Sequence, residues 1–123
     1  MINIKFINAT SVQLKDQDDN TVQNVGEFVS PTEYYFEGNT FSSSDQDYYH
    51  FVIEGEDVEL SGVIGEVTKD FQYFNLFKGQ TAITKAEDLT LSSTVVKKFC
   101  YANMFLDCTN LTSPPTIGAT TLD

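Results

Sequence analysis

The sequence predicts a mainly β protein of the α+β class. A small β-hairpin or sandwich-like region occupies 1–68, and 69–123 form the start of a solenoid whose coils contain short helical turns. Three observations carry this. Apolar and polar residues alternate through most of the first sixty or so positions, the pattern of half-buried strands. From Phe71 the alternation lapses and apolar residues recur at three- and four-residue spacing. The third is self-similarity: Leu76, Phe77, Ile83, Ala86 and Leu89 lie about 28 residues before Met104, Phe105, Leu111, Pro114 and Ile117, an offset in the solenoid range.

Ile2, Ile4 and Phe6 alternate with Asn3, Lys5 and Ile7, and Val12 and Leu14 continue the same period. The run from Lys15 to Asn20 interrupts them and Val22 resumes, so a hairpin with an acidic tip is expected, because Asp and Asn side chains bond their own backbone in turns. Gly26 breaks the pattern, Ser30-Pro31 reads as a loop, and Tyr34-Tyr35-Phe36 as a further strand. Tyr49, Phe51 and Ile53 alternate, Glu54-Gly55-Glu56-Asp57 is expected to turn, and Val58 and Leu60 return as a second hairpin. Val63 to Val67 is either the first strand of the coils or an edge strand joining the two parts.

Phe71, Phe74 and Phe77 suggest a helical turn that Lys78-Gly79 ends. Leu89 and Leu91 alternate as a short strand, and Ser93 or Thr94 is placed to cap a helix whose face carries Val95, Phe99, Ala102 and Leu106. Pro114-Pro115 stops any helix and imposes an extended path. A coil buries its apolar face only against its neighbours, so terminal coils want a polar cap. The chain stops at Leu122-Asp123 directly after one well-defined coil. The expectation is that the polypeptide continues past Asp123, this chain being the amino-terminal portion of a longer protein; the alternative is that another chain covers the open end.

Composition narrows the function classes. Eighteen acidic residues against 7 basic ones leave a net charge of −11, which repels phosphate backbones and anionic lipid surfaces. No basic cluster with interleaved aromatics offsets it, so nucleic acid is not an expected partner. The first eight residues lack the apolar core of a signal peptide and no run is long enough to span a bilayer, so neither export nor membrane insertion is expected. If 95–106 is helical, Cys100 and Cys108 lie about 12 Å apart, beyond the reach of a disulfide, and read as two small buried hydrophobes.

No catalytic, cofactor-binding or metal-ligating set emerges, and the binding residues stay unassigned. Asp16, Asp18, Asn20 and Glu27 occupy positions 1, 3, 5 and 12 of a calcium-loop spacing. Thr21 stands where that loop needs Gly and no amphipathic helix flanks it, so an acidic hairpin tip is the expected reading. His50, the lone histidine, has no nucleophile elbow nearby and reads as a strand residue with its ring at the surface. Glu54, Glu56, Asp57 and Glu59 read as a solvated turn. Tyr34, Tyr35, Tyr48 and Tyr49 are the candidates for stacking on a sugar, although half of any such stripe faces a core. Asn8-Ala9-Thr10 and Asn110-Leu111-Thr112 match the glycosylation sequon.

The carboxyl-terminal pattern resembles the BspA-like leucine-rich repeat family over Phe71 to Asp123. Met104-Phe105, Cys108, Leu111, Pro114-Pro115, Ile117 and the Ala119-Thr120-Thr121-Leu122 ending are similar to the variant found in gut-bacterial surface proteins and their phages. The upstream copy departs from it, with Gln80 in place of the cysteine and Glu87 in place of a proline. The resemblance implies a leucine-rich-repeat solenoid and a non-enzymatic structural or adhesion protein without cofactors. It implies a bacteriophage virion component, a head fibre, decoration or tail-associated protein, whose amino-terminal region anchors to the particle. Its partners would be other virion proteins, a host surface protein or glycan, and further copies of itself in a homo-oligomer. Lack of a leader favours the virion, assembled in the host cytoplasm. The alternative is a bacterial cell-surface adhesin of the same family binding host protein or glycan, its leader missing.

Overall fold

The alternation of Ile2, Ile4 and Phe6 builds the first strand, β1 (Ile2–Asp16), with those three side chains fully buried. The computed structural model describes residues 2–39, 41–117 and 121–122. Asn8 adopts a left-handed conformation at φ 69°, and the register of β1 shifts there so that Ala9 takes the core position. A second shift between Ala9 and Ser11 restores the even-numbered phase, and Val12 and Leu14 point inward again. Bulges of this kind add a residue without ending the strand. β2 (Thr21–Gly38) pairs antiparallel with one side of β1 and β3 (Tyr49–Ile64) with the other.

The second hairpin expected around Glu54-Asp57 is a single strand instead. Gly55 (φ 142°) and Asp57 (φ 52°) form a bulge opposite the one in β1, and Asn8 Nδ2 donates to the Asp57 carbonyl at 3.3 Å. Facing bulges let both strands kink together, so pairing resumes on each side, Ala9 with Gly55 and Ile7 with Glu59. The expected loop at Ser30-Pro31 likewise lies within β2, as an excursion of residues 28–31 between the pairs Ser11–Glu27 and Ala9–Thr32.

β4 (Ile83–Leu91) runs parallel to β3, with Val58 opposite Ile83 and Ile64 opposite Leu91. β5 (Val95–Val96), β6 (Thr116–Ile117) and β7 (Thr121–Leu122) are short. β6 continues the parallel series beside β4, giving the order β2-β1-β3-β4-β6, while β5 pairs with β7.

Parallel neighbours need a crossover, usually a helix. Here the expectation of α+β coils with short helical turns is overturned: the described residues contain no helix, and the architecture is all-β. Residues 71–80 form a chain of overlapping turns in which alternate N–H groups reach back three residues: Phe74 to Phe71, Leu76 to Tyr73, Lys78 to Asn75 and Gln80 to Phe77, at 3.1–3.3 Å. The N–H groups between them point sideways into the next layer. Phe71, Tyr73, Asn75, Phe77 and Gly79 donate to the carbonyls of Lys98, Cys100, Ala102, Met104 and Leu106 at 2.7–3.1 Å. An α-helix directs every N–H along its own axis and leaves none for a neighbour. Left-handed residues every fourth position, Phe71, Asn75 and Gly79, then Phe99, Asn103 and Asp107, reverse the chain before it can wind. The expected helical face is therefore not formed: Val95 lies in β5, Phe99 and Leu106 are exposed, and the buried positions are Cys100, Met104 and Cys108.

The two turn chains lie one upon the other, and their aromatic rings form columns. Phe51 of β3 stacks on Phe77 (5.6 Å between centroids) and Phe77 on Phe105 (5.3 Å), both with 17° between ring planes. Tyr73 stacks on Tyr101 at 6.2 Å and Phe71 meets Phe99 at 5.0 Å. Phe6 and Phe36 close on Phe51 from β1 and β2, so one core runs from the antiparallel strands into the layers. Burial of Ile117 and Leu122, which would count against the open end expected there, and the Ala119-Thr120 part of the ending lie outside what is described.

Candidate functional site

β2 is an edge strand: among the described residues it pairs with β1 alone. Of the seven large hydrophobic residues that are exposed among the described residues, β2 carries four, Val22, Phe28, Val29 and Tyr35. Val29 is fully exposed at the crest of the 28–31 excursion, and Phe28 is stacked on Tyr34 at 6.0 Å with 13° between the rings. The Tyr34 ring lies directly over Gly26, where any Cβ would collide with it, and its hydroxyl donates to the Thr10 carbonyl at 3.4 Å. Phe28, Val29, Ser30, Pro31 and Thr32 line a shallow apolar concavity.

The charge on this strand has one sign. Glu27, Glu33 and Glu37 lie on β2, which has no Lys or Arg; Lys5 on β1 approaches Glu33 at 3.6 Å, both largely in solvent. Soluble proteins usually blunt an edge with Lys, Pro or a bulge. Pro31 and the excursion interrupt the middle of this edge and leave Thr21–Glu27 and Thr32–Gly38 as two stretches of strand. An extended chain can add to either stretch by main-chain hydrogen bonds, with the apolar crest as anchor.

The structure separates most of the residues nominated by sequence. Asp16 Oδ1 accepts the N–H groups of Asp18 (2.9 Å) and Asn20 (3.0 Å), so the carboxylate caps its own turn. These bonds, chiefly that from Asn20, hold the Asp16 carboxyl below its ordinary pKa. Glu27 is paired opposite Ser11 along the strand. Among the described residues, no three His, Cys, Asp or Glu side chains gather as a metal site.

His50 is not the surface ring expected: only 12% of its side chain is accessible. Asp19, which the sequence reading passed over, meets its Nε2 at 3.1 Å, and Nδ1 is buried without a partner among the described residues. The position is set by pairing, since Lys15 and His50 are opposite each other and the acidic tip folds back over the ring. Of the four tyrosines, Tyr34 is buried, Tyr48 packs edge-on against Phe74 at 5.7 Å, Tyr49 is half-buried, and Tyr35 is exposed with its hydroxyl donating to Glu37 at 3.2 Å. They present no common face.

Both cysteines are free and buried, and burial pushes both thiols up in pKa. Cys108 Sγ donates to the Phe77 carbonyl at 3.0 Å; at the equivalent place one layer earlier, Gln80 Oε1 accepts the Ile53 N–H at 2.7 Å. Both sequon asparagines are engaged within the fold, Asn8 at the β1 bulge and Asn110 on the Thr81 carbonyl at 2.8 Å. A hollow of about 640 Å³ between Gly55–Asp57 and Thr81–Thr84 is lined by Asn110 as well, but brings no base beside a nucleophile.

No helix of the described residues is long and apolar enough to cross a membrane. No family model, no curated protein and no solved structure matches this chain.

Proposed function

We propose that this protein is a non-enzymatic structural module of a bacteriophage particle, anchored through its amino-terminal strands. The observation that carries the reading is the β2 edge, an acidic strand that concentrates the exposed apolar side chains and retains two stretches open to strand addition. The phage setting comes from the resemblance of Phe71–Asp123 to BspA-like repeats. Glu27, Glu33 and Glu37 favour a partner strand bearing Lys or Arg, with Phe28 and Val29 seated in an apolar recess of that partner.

Particles banded by density from a lysate of the producing host test this. Antibody against the chain should label them, and the Val29→Lys variant should fold normally but be lost from the band. Chain left entirely in the soluble fraction would overturn the reading, and label on the cell envelope would replace it with the surface adhesin.

A further inference from the structure

Charge is not spread evenly along the chain. Residues 1–68 hold 13 of the 18 acidic residues and 2 of the 7 basic ones, whereas 69–123 hold five of each. Two of those lysines stand where the turn chains begin. Lys69 precedes the first chain and lies over the Phe41 ring, 5.2 Å from its centroid; Lys98, at the start of the second, lies over Phe99 at 5.4 Å. The ion pairs of the described residues use Lys5, Lys85 and His50, so among those residues neither ammonium is neutralised by a carboxylate. Asp70, the neighbour of Lys69, accepts the backbone N–H of Lys98 at 3.2 Å. A lysine resting on a ring is held in place, so its charge is presented with little further ordering on binding.

Beside the two lysines the surface is aromatic. Phe71 meets Phe99 at 5.0 Å and Phe74 at 5.4 Å. Phe99 is 52% exposed, and Phe41, Tyr48 and Phe71 are half-buried. This exposure is lateral. The first layer already has Ser42 and Phe51 bonded to its carbonyls and the second layer bonded to its N–H groups, yet Lys69 is exposed and Phe71 only half-buried. A further layer stacks beyond the second and leaves this flank of the first as it is.

A surface of this kind takes carboxylates set among apolar side chains. The chain carries such a set on β2, where Glu27, Glu33 and Glu37 lie among the exposed Phe28, Val29 and Tyr35. Its other acidic groups fit less well. Asp16 caps its own turn, Asp19 meets His50, Glu59 meets Lys85 at 3.6 Å, and the bulge from Glu54 to Glu59 carries none of the exposed large hydrophobics. We infer that the flank of the turn chains docks the β2 edge of a second copy of this chain, Lys69 and Lys98 meeting its glutamates and Phe71 and Phe99 its Phe28 and Val29. Neither surface pairs with itself, because glutamate would face glutamate across one junction and lysine would face lysine across the other. The contact is therefore head to tail, and copies add one after another. An open row keeps a free β2 edge at one end, the edge that the proposed function gives to the particle. From that reading the inference takes the role of β2 as a docking edge; it does not need the particle.

Sedimentation velocity of the full chain over rising concentration tests this at about 20 mM salt and again at about 1 M, where the Debye length is about 3 Å. At low salt the mass should rise past that of a dimer, and at high salt it should fall back toward the monomer. Glu27→Lys with Glu37→Lys, and Lys69→Glu with Lys98→Glu, should each be monomeric alone. An equimolar mixture of the two should associate again, since the β2 edge of the second variant meets the flank of the first in the original pairing. Glu54→Lys with Glu56→Lys makes the same change of net charge away from the contact and should associate like the parent. Five results would overturn the inference: a parent monomeric at low salt, association surviving in either variant alone, a mass that stops at the dimer, a mixture that does not recover, or loss of association in the Glu54 and Glu56 control. The parent's response to salt needs no variant to fold. A chain that associates in this way but labels no particle would remove the proposed function and leave the inference, and a monomeric chain that labels particles would do the reverse.

Discussion

Two tyrosines at equivalent places show how much a single hydroxyl depends on its layer. Tyr73 accepts a hydrogen bond from Gln72 Nε2 at 3.2 Å and donates to the Glu66 carbonyl at 3.3 Å, whereas the Tyr101 hydroxyl has no partner among the described residues. Removing a satisfied buried hydroxyl strands its partners, so Tyr73→Phe should destabilise by about 1–3 kcal/mol in urea unfolding. Tyr101→Phe should stay within about 0.5 kcal/mol of the parent or gain, because it deletes an orphan. Burial pushes both phenols up from 10.0 to about 12. Raised values of this kind contribute stability in full below the unfolded pKa and lose it as pH climbs through the folded one. Stability should therefore fall between pH 10 and about 12. The double Phe variant should flatten that limb when followed by circular dichroism. Asp16 has the opposite sign: its lowered pKa contributes above the ordinary carboxylate value of 3.8 and is lost as pH falls through the folded value. Asp16→Asn should remove that part of the acid limb, with the β1–β2 tip fraying first.

The turn chain is the element that sequence reasoning misjudged, although part of its signature was printed in the sequence. Asn75, Gly79, Asn103 and Asp107 are the residue types that tolerate a left-handed backbone, and they recur at four-residue spacing and again one period later. Phe71, Phe74 and Phe77 at three-residue spacing imitate a helical face, and nothing local reveals that alternate N–H groups leave for another layer. A β-branched side chain cannot adopt φ near 60° without strain. Asn75→Val and Asn103→Val should each cost about 1–2 kcal/mol, while the Asn→Gly variants cost less, by thermal unfolding. Equal costs for Val and Gly would show that the side-chain amide matters more than the backbone. Strands were more legible, since burial of Ile2, Ile4, Phe6, Val12 and Leu14 follows the parity of the sequence. The bulges were not: Glu54-Gly55-Glu56-Asp57 has the composition of a turn, and only the matching bulge at Asn8 on the neighbouring strand turns it into a kink. The candidate site was not legible in the sequence: Val22 read as a strand residue resuming after the acidic tip and the stretch up to Ser30-Pro31 as the approach to a loop. The exposure of Val22, Phe28 and Val29 follows from β2 lying at the edge, a property of strand order that local pattern does not encode.

At the scale of the molecule, the antiparallel strands close one end of a stack whose layers grow less covered toward the other. Ser42 and Phe51 occupy carbonyls of the first layer, the first layer's N–H groups occupy the second, and alternate N–H groups of the second have no acceptor among the described residues. Stability should be graded in the same direction. Phe77, fully buried between Phe51 and Phe105, has ring neighbours on both faces, so Phe77→Ala should cost about 3–5 kcal/mol through the lost transfer energy and the cavity left in mid-stack. Phe105 is half-buried with one such neighbour, and its truncation leaves a dent open to water instead of an enclosed void. Phe105→Ala should therefore cost clearly less. Chemical denaturation of the two variants decides the matter: a smaller loss for Phe77 than for Phe105 would mean that the layers do not derive their order from the capped end. The same gradient should appear in native-state exchange, slowest in β1 and β3, intermediate at Phe71–Gly79 and fastest at Phe99–Asp107, because an amide with no acceptor exchanges without an opening step.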